Sequence, residues 1–399
     1  MTEFMSPTRR RFLSALGAGA AALPLITLPG FVTSASARPA AGNILVLVEL
    51  AGGNDGLNTV VPVTDPAYRG LRPQIGLNVD ETLRLDADTG LHGAMRPFAK
   101  LWDDGALRII EGVGYPNPNR SHFRSIEIWN AGFGAESNRQ TGWIPTAFAE
   151  GRAPDAAHAS GLTLGGAMGP LSGTGRFSSI EDEETFLATL QNMPTGRHAV
   201  RPQNASPLAH VLSTYDSAKI TGDHISRRLE RSPARNLAFP ETYIGEQLRT
   251  AARLLEAGVD VSVLKVTQDG YDTHDAQPDL HSYLLEELSE AIHAFSQAMK
   301  TIGLWDQVTL VTYSEFGRTA RENASAGTDH GTAAPVLVVG GGVLGGFDGQ
   351  RVSLDKLEDG DLVHTTDYRS VYAAILRDLW RIEGHDFSVA GVTDVRLLG

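Results

Sequence analysis

The run from Asn43 to Leu50, Asn-Ile-Leu-Val-Leu-Val-Glu-Leu, is apolar at nearly every position. A strand with one wet face alternates. A short continuous run predicts a strand buried on both faces, as in a parallel sheet. Comparable runs predict strands over 108–113, 259–266, 307–313 and 334–339. Between them the period changes. Met95, Phe98 and Leu101 fall at helical spacing within 93–104, and further helices are predicted over 121–131, 244–257, 280–302 and 367–382. Gly258 and Gly303 end two of these, and Thr366 or Asp367 caps the last. Strands alternating with helices predict an α/β fold on a mainly parallel sheet.

From about 142 to 240 the pattern weakens, and Gly, Ser, Pro and Asn become frequent, as in Gly165-Gly166-Ala167-Met168-Gly169-Pro170. This stretch reads as an irregular insertion over one end of the sheet, with helices near 183–191 and 208–229. No internal repeat is visible, so 38–399 reads as a single domain with that insertion.

The first 37 residues read as a targeting segment. Thr8-Arg9-Arg10-Arg11-Phe12-Leu13 is a twin-arginine motif, an Ala/Gly-rich apolar run follows to Val32, and Ala35-Ser36-Ala37 is a small-x-small cleavage site. Pro24 and Pro29 interrupt the run, which argues against a membrane helix. The expected partner during export is the twin-arginine translocase, and the expected location is periplasmic or secreted. No membrane span is expected in the mature form. Removing three arginines and one glutamate takes the net charge from −13 to about −15. That balance argues against nucleic acid or an anionic membrane surface as a partner but not against a small anionic substrate, because a metal can reverse the local field. The chain has no cysteine. A metal would therefore rely on Asp, Glu, His, Ser or Asn.

In open α/β sheets ligands bind beyond the carboxyl ends of strands. After the first strand stands Gly53-Asn54-Asp55-Gly56, where Asp55 could ligate a metal and Glu49 is a weaker candidate; a plain turn reads the same way. After the second comes Ser121 at the start of a helix, beside unpaired N–H groups and the positive end of the helix dipole. Its hydroxyl could attack phosphorus or sulfur, or simply cap the helix. Arg120, His122 and Arg124 surround it and could hold substrate oxygens. After the strand ending near 266, Asp272 and His274 stand two apart, a usable ligand spacing, with His281 a possible addition. Glu315 and Arg318 follow the next strand, as ligand and oxyanion clamp or as a surface pair. Asp329 and His330 precede the last strand.

These motifs, Gly52-Gly53-Asn54-Asp55-Gly56-Leu57-Asn58, Arg120-Ser121-His122-Phe123, Tyr271-Asp272-Thr273-His274, Ser314-Glu315-Phe316-Gly317-Arg318 and Gly327-Thr328-Asp329-His330-Gly331, resemble those of exported bacterial proteins in a domain-of-unknown-function family, placed in the alkaline phosphatase and sulfatase superfamily. The resemblance implies a three-layer sandwich. It also implies a metal-dependent hydrolase of small anionic phosphate or sulfate esters, with Ser121 as nucleophile, assisted by Arg318 and Arg120. Asp55, Asp272, His274, Glu315 and His330 would be its metal ligands. Zn, Mn, Ca and Mg all suit such donors. The chain departs from the superfamily pattern where Ser314-Glu315-Phe316 replaces an Asp-His pair. A non-catalytic exported binding or assembly protein that keeps the scaffold is the alternative.

Overall fold

The computed structural model describes residues 42–149, 154, 156, 158–180, 185, 207–232, 235–383, 387 and 394–399. The export segment, and all but Thr185 of the helix expected near 183–191, lie outside them. Residues 39–399 form one compact unit.

The central sheet contains nine strands among the described residues. They are β1 (Ile44–Leu50), β2 (Leu107–Gly114), β3 (Ala159–Thr163), β4 (Phe177–Ser179), β5 (Val261–Gln268), β6 (Val308–Tyr313), β7 (Ala334–Gly340), β8 (Gly346–Asp348) and β9 (Thr366–Asp367). Their order is β8-β2-β7-β6-β1-β5-β3-β4, with β9 also on β2. Every pairing is parallel except the two made by β7. β1 lies between β5 and β6, which explains its unbroken apolar run: both faces and both edges are covered.

Helices lie on both faces. Ile44, Val46 and Val48 point into one core with Phe98, Leu248 and Ile292. These come from α1 (Arg96–Asp103), α5 (Tyr243–Glu256) and α6 (Gln277–Ile302). Leu45 and Leu47 point to the other face, against Trp129, Trp143 and Ile375. These come from α2 (His122–Ala131), α3 (Trp143–Phe148) and α7 (Tyr368–Trp380). The result is a mostly parallel sheet between two helical layers, as expected. The 142–240 segment is more regular than its composition suggested. It supplies β3 and β4 to the sheet, and the helix expected near 208–229 is α4 (Pro207–Arg231).

No helix of the described residues is long and apolar enough to cross a membrane.

The antiparallel β7 positions the site. β1, β2, β5 and β6 run the same way and release their loops at one edge. Because β7 runs the other way, the residues before it, not after it, reach that edge. Gly317 N–H donates to Thr332 O at 2.9 Å and Gly331 N–H to Gly317 O at 2.8 Å, so the β6–β7 pairing continues outward and sets Arg318 opposite His330.

Candidate metal centre

At that edge His122, Asp272 and His330 converge: one ligand atom from each lies within 4.8 Å of the others. His122 Nε2 is 3.4 Å from Asp272 Oδ2, and His330 Nε2 is 3.2 Å from Asp272 Oδ1. His274 stands beside them, its Nε2 at 3.1 Å from Asp272 Oδ1 and 2.9 Å from His330 Nε2. His122 is the first residue of α2, directly after its cap Ser121. Asp272 and His274 follow β5, and His330 precedes β7.

Each imidazole is tethered at its other nitrogen. His122 Nδ1 is 2.8 Å from Glu315 Oε1, His274 Nδ1 is 3.1 Å from Asp329 Oδ1, and His330 Nδ1 is 2.7 Å from the Arg120 carbonyl. Phe316, buried, packs its ring against those of His122 and His330 at centroid distances of 4.9 and 4.6 Å. The Nε2 of His122 is buried and has no hydrogen-bond partner. A shielded nitrogen of this kind, facing a carboxylate and a second imidazole, suits a cation, and the N/O donor set is one that divalent transition metals accept.

Asp272 is the centre of the cluster and is ionised. Its partial burial would raise its pKa, but the hydrogen bond and charge of Arg318, with His330 close by, outweigh that and hold it below the usual carboxylate range. Asp329 is also lowered, chiefly by its hydrogen bond with His274.

Three sequence expectations need correction. Arg318 is no substrate clamp. It is 1% exposed, and its guanidinium donates to Gly53 O at 2.7 Å, Thr328 O at 3.0 Å, Tyr271 O at 2.8 Å, Gly52 O and Asp272 Oδ1 at 2.7 Å. It ties three site loops together. Asp55 lies outside the cluster. Its carboxylate is buried 2.6 Å from Arg72 Nη1 and accepts from Gln277. Burial pushes its pKa up, but Arg72 prevails and the carboxyl stays ionised without a metal. Glu315 stands behind His122 rather than among the converging donors, and its Oε1 also accepts Gly52 N–H at 2.9 Å. His281, considered as an addition, donates from Nε2 to Asn54 Oδ1 at 2.9 Å; burial, against the pull of Asp55, lowers its pKa to about 4 and makes it a neutral structural residue.

Of the remaining candidates, Asp272, His274 and His330 come together at one sheet edge. Ser121 is exposed at the cap of α2, and its side chain makes no capping bond. Arg120 gives its carbonyl to His330 and pairs its guanidinium with Asp361 at 2.5 Å. The sequence offers His122 as a neighbour of Ser121 that could hold substrate oxygens, not as a metal ligand. The signal was its place: the first helical residue after a strand end, one step past the cap.

Close backbone approach holds the cluster's loops. Gly52 has φ +117°, and a Cβ there would lie 2.4 Å from the Asp272 amide nitrogen. Gly52→Ala is expected to cost roughly 2–4 kcal/mol, from strain plus overpacking, and to weaken metal binding. Gly105→Ala is the control: its φ is +69° but nothing lies within 4 Å of the added Cβ. Denaturant unfolding of both variants separates the two costs, and equal losses would show that the approach to Asp272 is unimportant.

A hollow lies elsewhere, lined by Leu57, Val60, Glu111, Ala334, Arg351 and Leu354 among others, and by none of the cluster's side chains.

Residues 110–379 match the model of a family described as protein of unknown function (DUF1501). The chain belongs to this family. No curated protein matches it. Solved structures that resemble it belong to the alkaline phosphatase and sulfatase group. One is an alkaline phosphatase superfamily protein from Vibrio parahaemolyticus, at 10% identity and TM-score 0.41, covering 88% of this chain and 70% of that one. Another is a phosphonate monoester hydrolase of Agrobacterium radiobacter, at 10% and 0.41, covering 89% and 79%. A third is a C-terminal periplasmic domain from Escherichia coli in complex with Zn, at 8% and 0.40, covering 87% and 85%. These are distant likenesses of fold; what they bind or cleave is theirs.

Proposed function

We propose that this DUF1501 protein is a metal-dependent hydrolase of phosphate or sulfate esters, acting in the periplasm or outside the cell after export by the twin-arginine route. One observation carries the reading: imidazole nitrogens and a carboxylate converge beside the first turn of a helix whose cap serine has a free hydroxyl. His122, Asp272 and His330 would hold the ion, with His274 beside them. An ion bound there supplies positive charge that polarises an ester oxygen and steadies charge on the leaving group.

The chain's own residues do the rest. The N-terminus of α2 presents unpaired N–H groups to an anionic substrate. Ser121, at that terminus, is the candidate nucleophile. Arg120 stands next to it, half-exposed, and its donors beyond the Asp361 pair can hold ester oxygens. Ser121→Ala is expected to lower turnover of phosphate or sulfate esters by about 10³-fold or more without unfolding the protein. Full activity in Ser121→Ala, with activity lost in His330→Ala, would remove the serine and leave the metal.

A second reading is favoured by Ser314-Glu315-Phe316. Phe316 fills the space beneath two imidazoles, and Glu315 is turned to His122, so these residues build no second ion site. A scaffold with one ion and no turnover would be an exported binding or assembly protein. Inertness toward the whole ester panel with metal bound would favour it.

A further inference from the structure

We infer that the site takes a single ion through three imidazoles and one carboxylate, that Glu315 and Asp329 position the imidazoles, and that the site therefore selects zinc over calcium and magnesium. The inference rests on the metal reading above and narrows it.

The hydrogen bonds fix the tautomers. A carbonyl oxygen only accepts, so the 2.7 Å contact between His330 Nδ1 and the Arg120 carbonyl puts a proton on Nδ1. Carboxylates act the same way on His122 and His274, through Glu315 and Asp329. In the neutral ring the lone pair is then on Nε2. All three Nε2 atoms stand close to the Asp272 carboxylate. Two of them, on His274 and His330, are 2.9 Å apart, and each lies within 3.2 Å of the same Asp272 oxygen. Electron pairs crowded this closely repel unless a proton or a metal ion lies among them. Donors at about 2.0–2.1 Å around a tetrahedral ion are spaced roughly 3.3 Å from one another. The separation of His274 and His330 and those of the three imidazoles from Asp272, 2.9 to 3.4 Å, are close to that, and His122 offers its donor within 4.8 Å of His330.

The donor set decides the ion. Calcium asks for six to eight oxygens and magnesium for an octahedron of them. This site offers one carboxylate and three nitrogens. Zinc accepts that set, and outcompetes manganese for it. Glu315 is buried, already accepts Gly52 N–H, and is spent on orienting His122. A carboxylate behind a metal-bound histidine typically governs affinity by 10–100-fold.

The test uses the full chain stripped with EDTA and dialysed against an equal mixture of zinc, manganese, calcium and magnesium. Ion content is read by mass spectrometry, zinc affinity by competition, and imidazole tautomers by long-range ¹⁵N NMR of the metal-free protein. One zinc per chain is expected, with three Nδ1–H rings before loading. Glu315→Leu should weaken zinc 10–100-fold and change the His122 signals alone, while Glu315→Gln, which still accepts from Nδ1, restores both. Asp329→Ala, at an exposed position, should do the same for His274 if the buried variant does not fold. Retention of calcium or magnesium, two ions per chain, or unchanged zinc affinity in Glu315→Leu and Asp329→Ala would overturn the inference while the metal reading stands. No ion of any kind in the wild type would overturn both.

Discussion

Arg318→Met is expected to lower the free energy of unfolding by roughly 3–5 kcal/mol, because it strands several buried acceptors at once. The side chain is fully buried and has no contact with solvent to lose. What it would leave behind is a set of acceptors. The carbonyls of Gly52, Gly53, Tyr271 and Thr328 would lose their donor, and Asp272 would lose its counter-charge. Each stranded buried acceptor costs on the order of 1–3 kcal/mol when no water replaces the donor. Arg318→Lys should fare only a little better. It keeps the charge, but its three donors sit on one nitrogen and cannot span acceptors on three loops. Urea unfolding of the metal-free protein measures both. A stable Arg318→Met variant with defective turnover would restore the sequence-based view of Arg318 as a clamp on substrate.

That view shows where sequence reading stopped. The strands are legible because their surroundings are uniform: Ile44–Leu50 and Val308–Tyr313 are buried along nearly their whole length, so most positions are apolar and Val308–Tyr313 admits only Thr309 and Thr312 besides. Element ends were less so. α6 starts at Gln277, three residues before the expected start, because Pro278 suits the first turn of a helix. β5 runs on to Gln268 through polar residues whose partners, Gln247 among them, lie far away in sequence. The direction of β7 leaves no trace in composition, yet it explains why His330, preceding its strand, meets residues that follow theirs. Asp55 and Arg318 were misread for one reason. A strand-end charge looks the same whether its partner is a ligand or a buried ion, and Arg72 is seventeen residues from Asp55. His122 was overlooked in favour of Ser121. One residue along a helix turns a side chain by about 100°, enough to separate an exposed cap from an inward ring.

The largest effect on metal binding should come from His330→Ala, and its stability cost depends on whether an ion is present. A four-ligand zinc site is worth about 10–16 kcal/mol, so one ligand accounts for roughly 3 kcal/mol, or on the order of a hundredfold in affinity. At a zinc concentration one hundred times the wild-type Kd, binding stabilises the wild type by about 2.7 kcal/mol. The same concentration would then only match the variant's Kd and stabilise it by about 0.4 kcal/mol. Thermal unfolding with zinc should therefore separate the two proteins clearly. Without metal the gap should nearly close. His330→Ala loses one hydrogen bond to the Arg120 carbonyl and ring contact with Phe316, but it also removes the 2.9 Å approach of two Nε2 lone pairs. The metal-free variant is expected within about 1 kcal/mol of the wild type, since one hydrogen bond is worth roughly that much net. A histidine that only held the fold together would cost the same in zinc as in EDTA. Equal losses in the two conditions would refute the metal centre, and a loss confined to zinc would place the ion at His330.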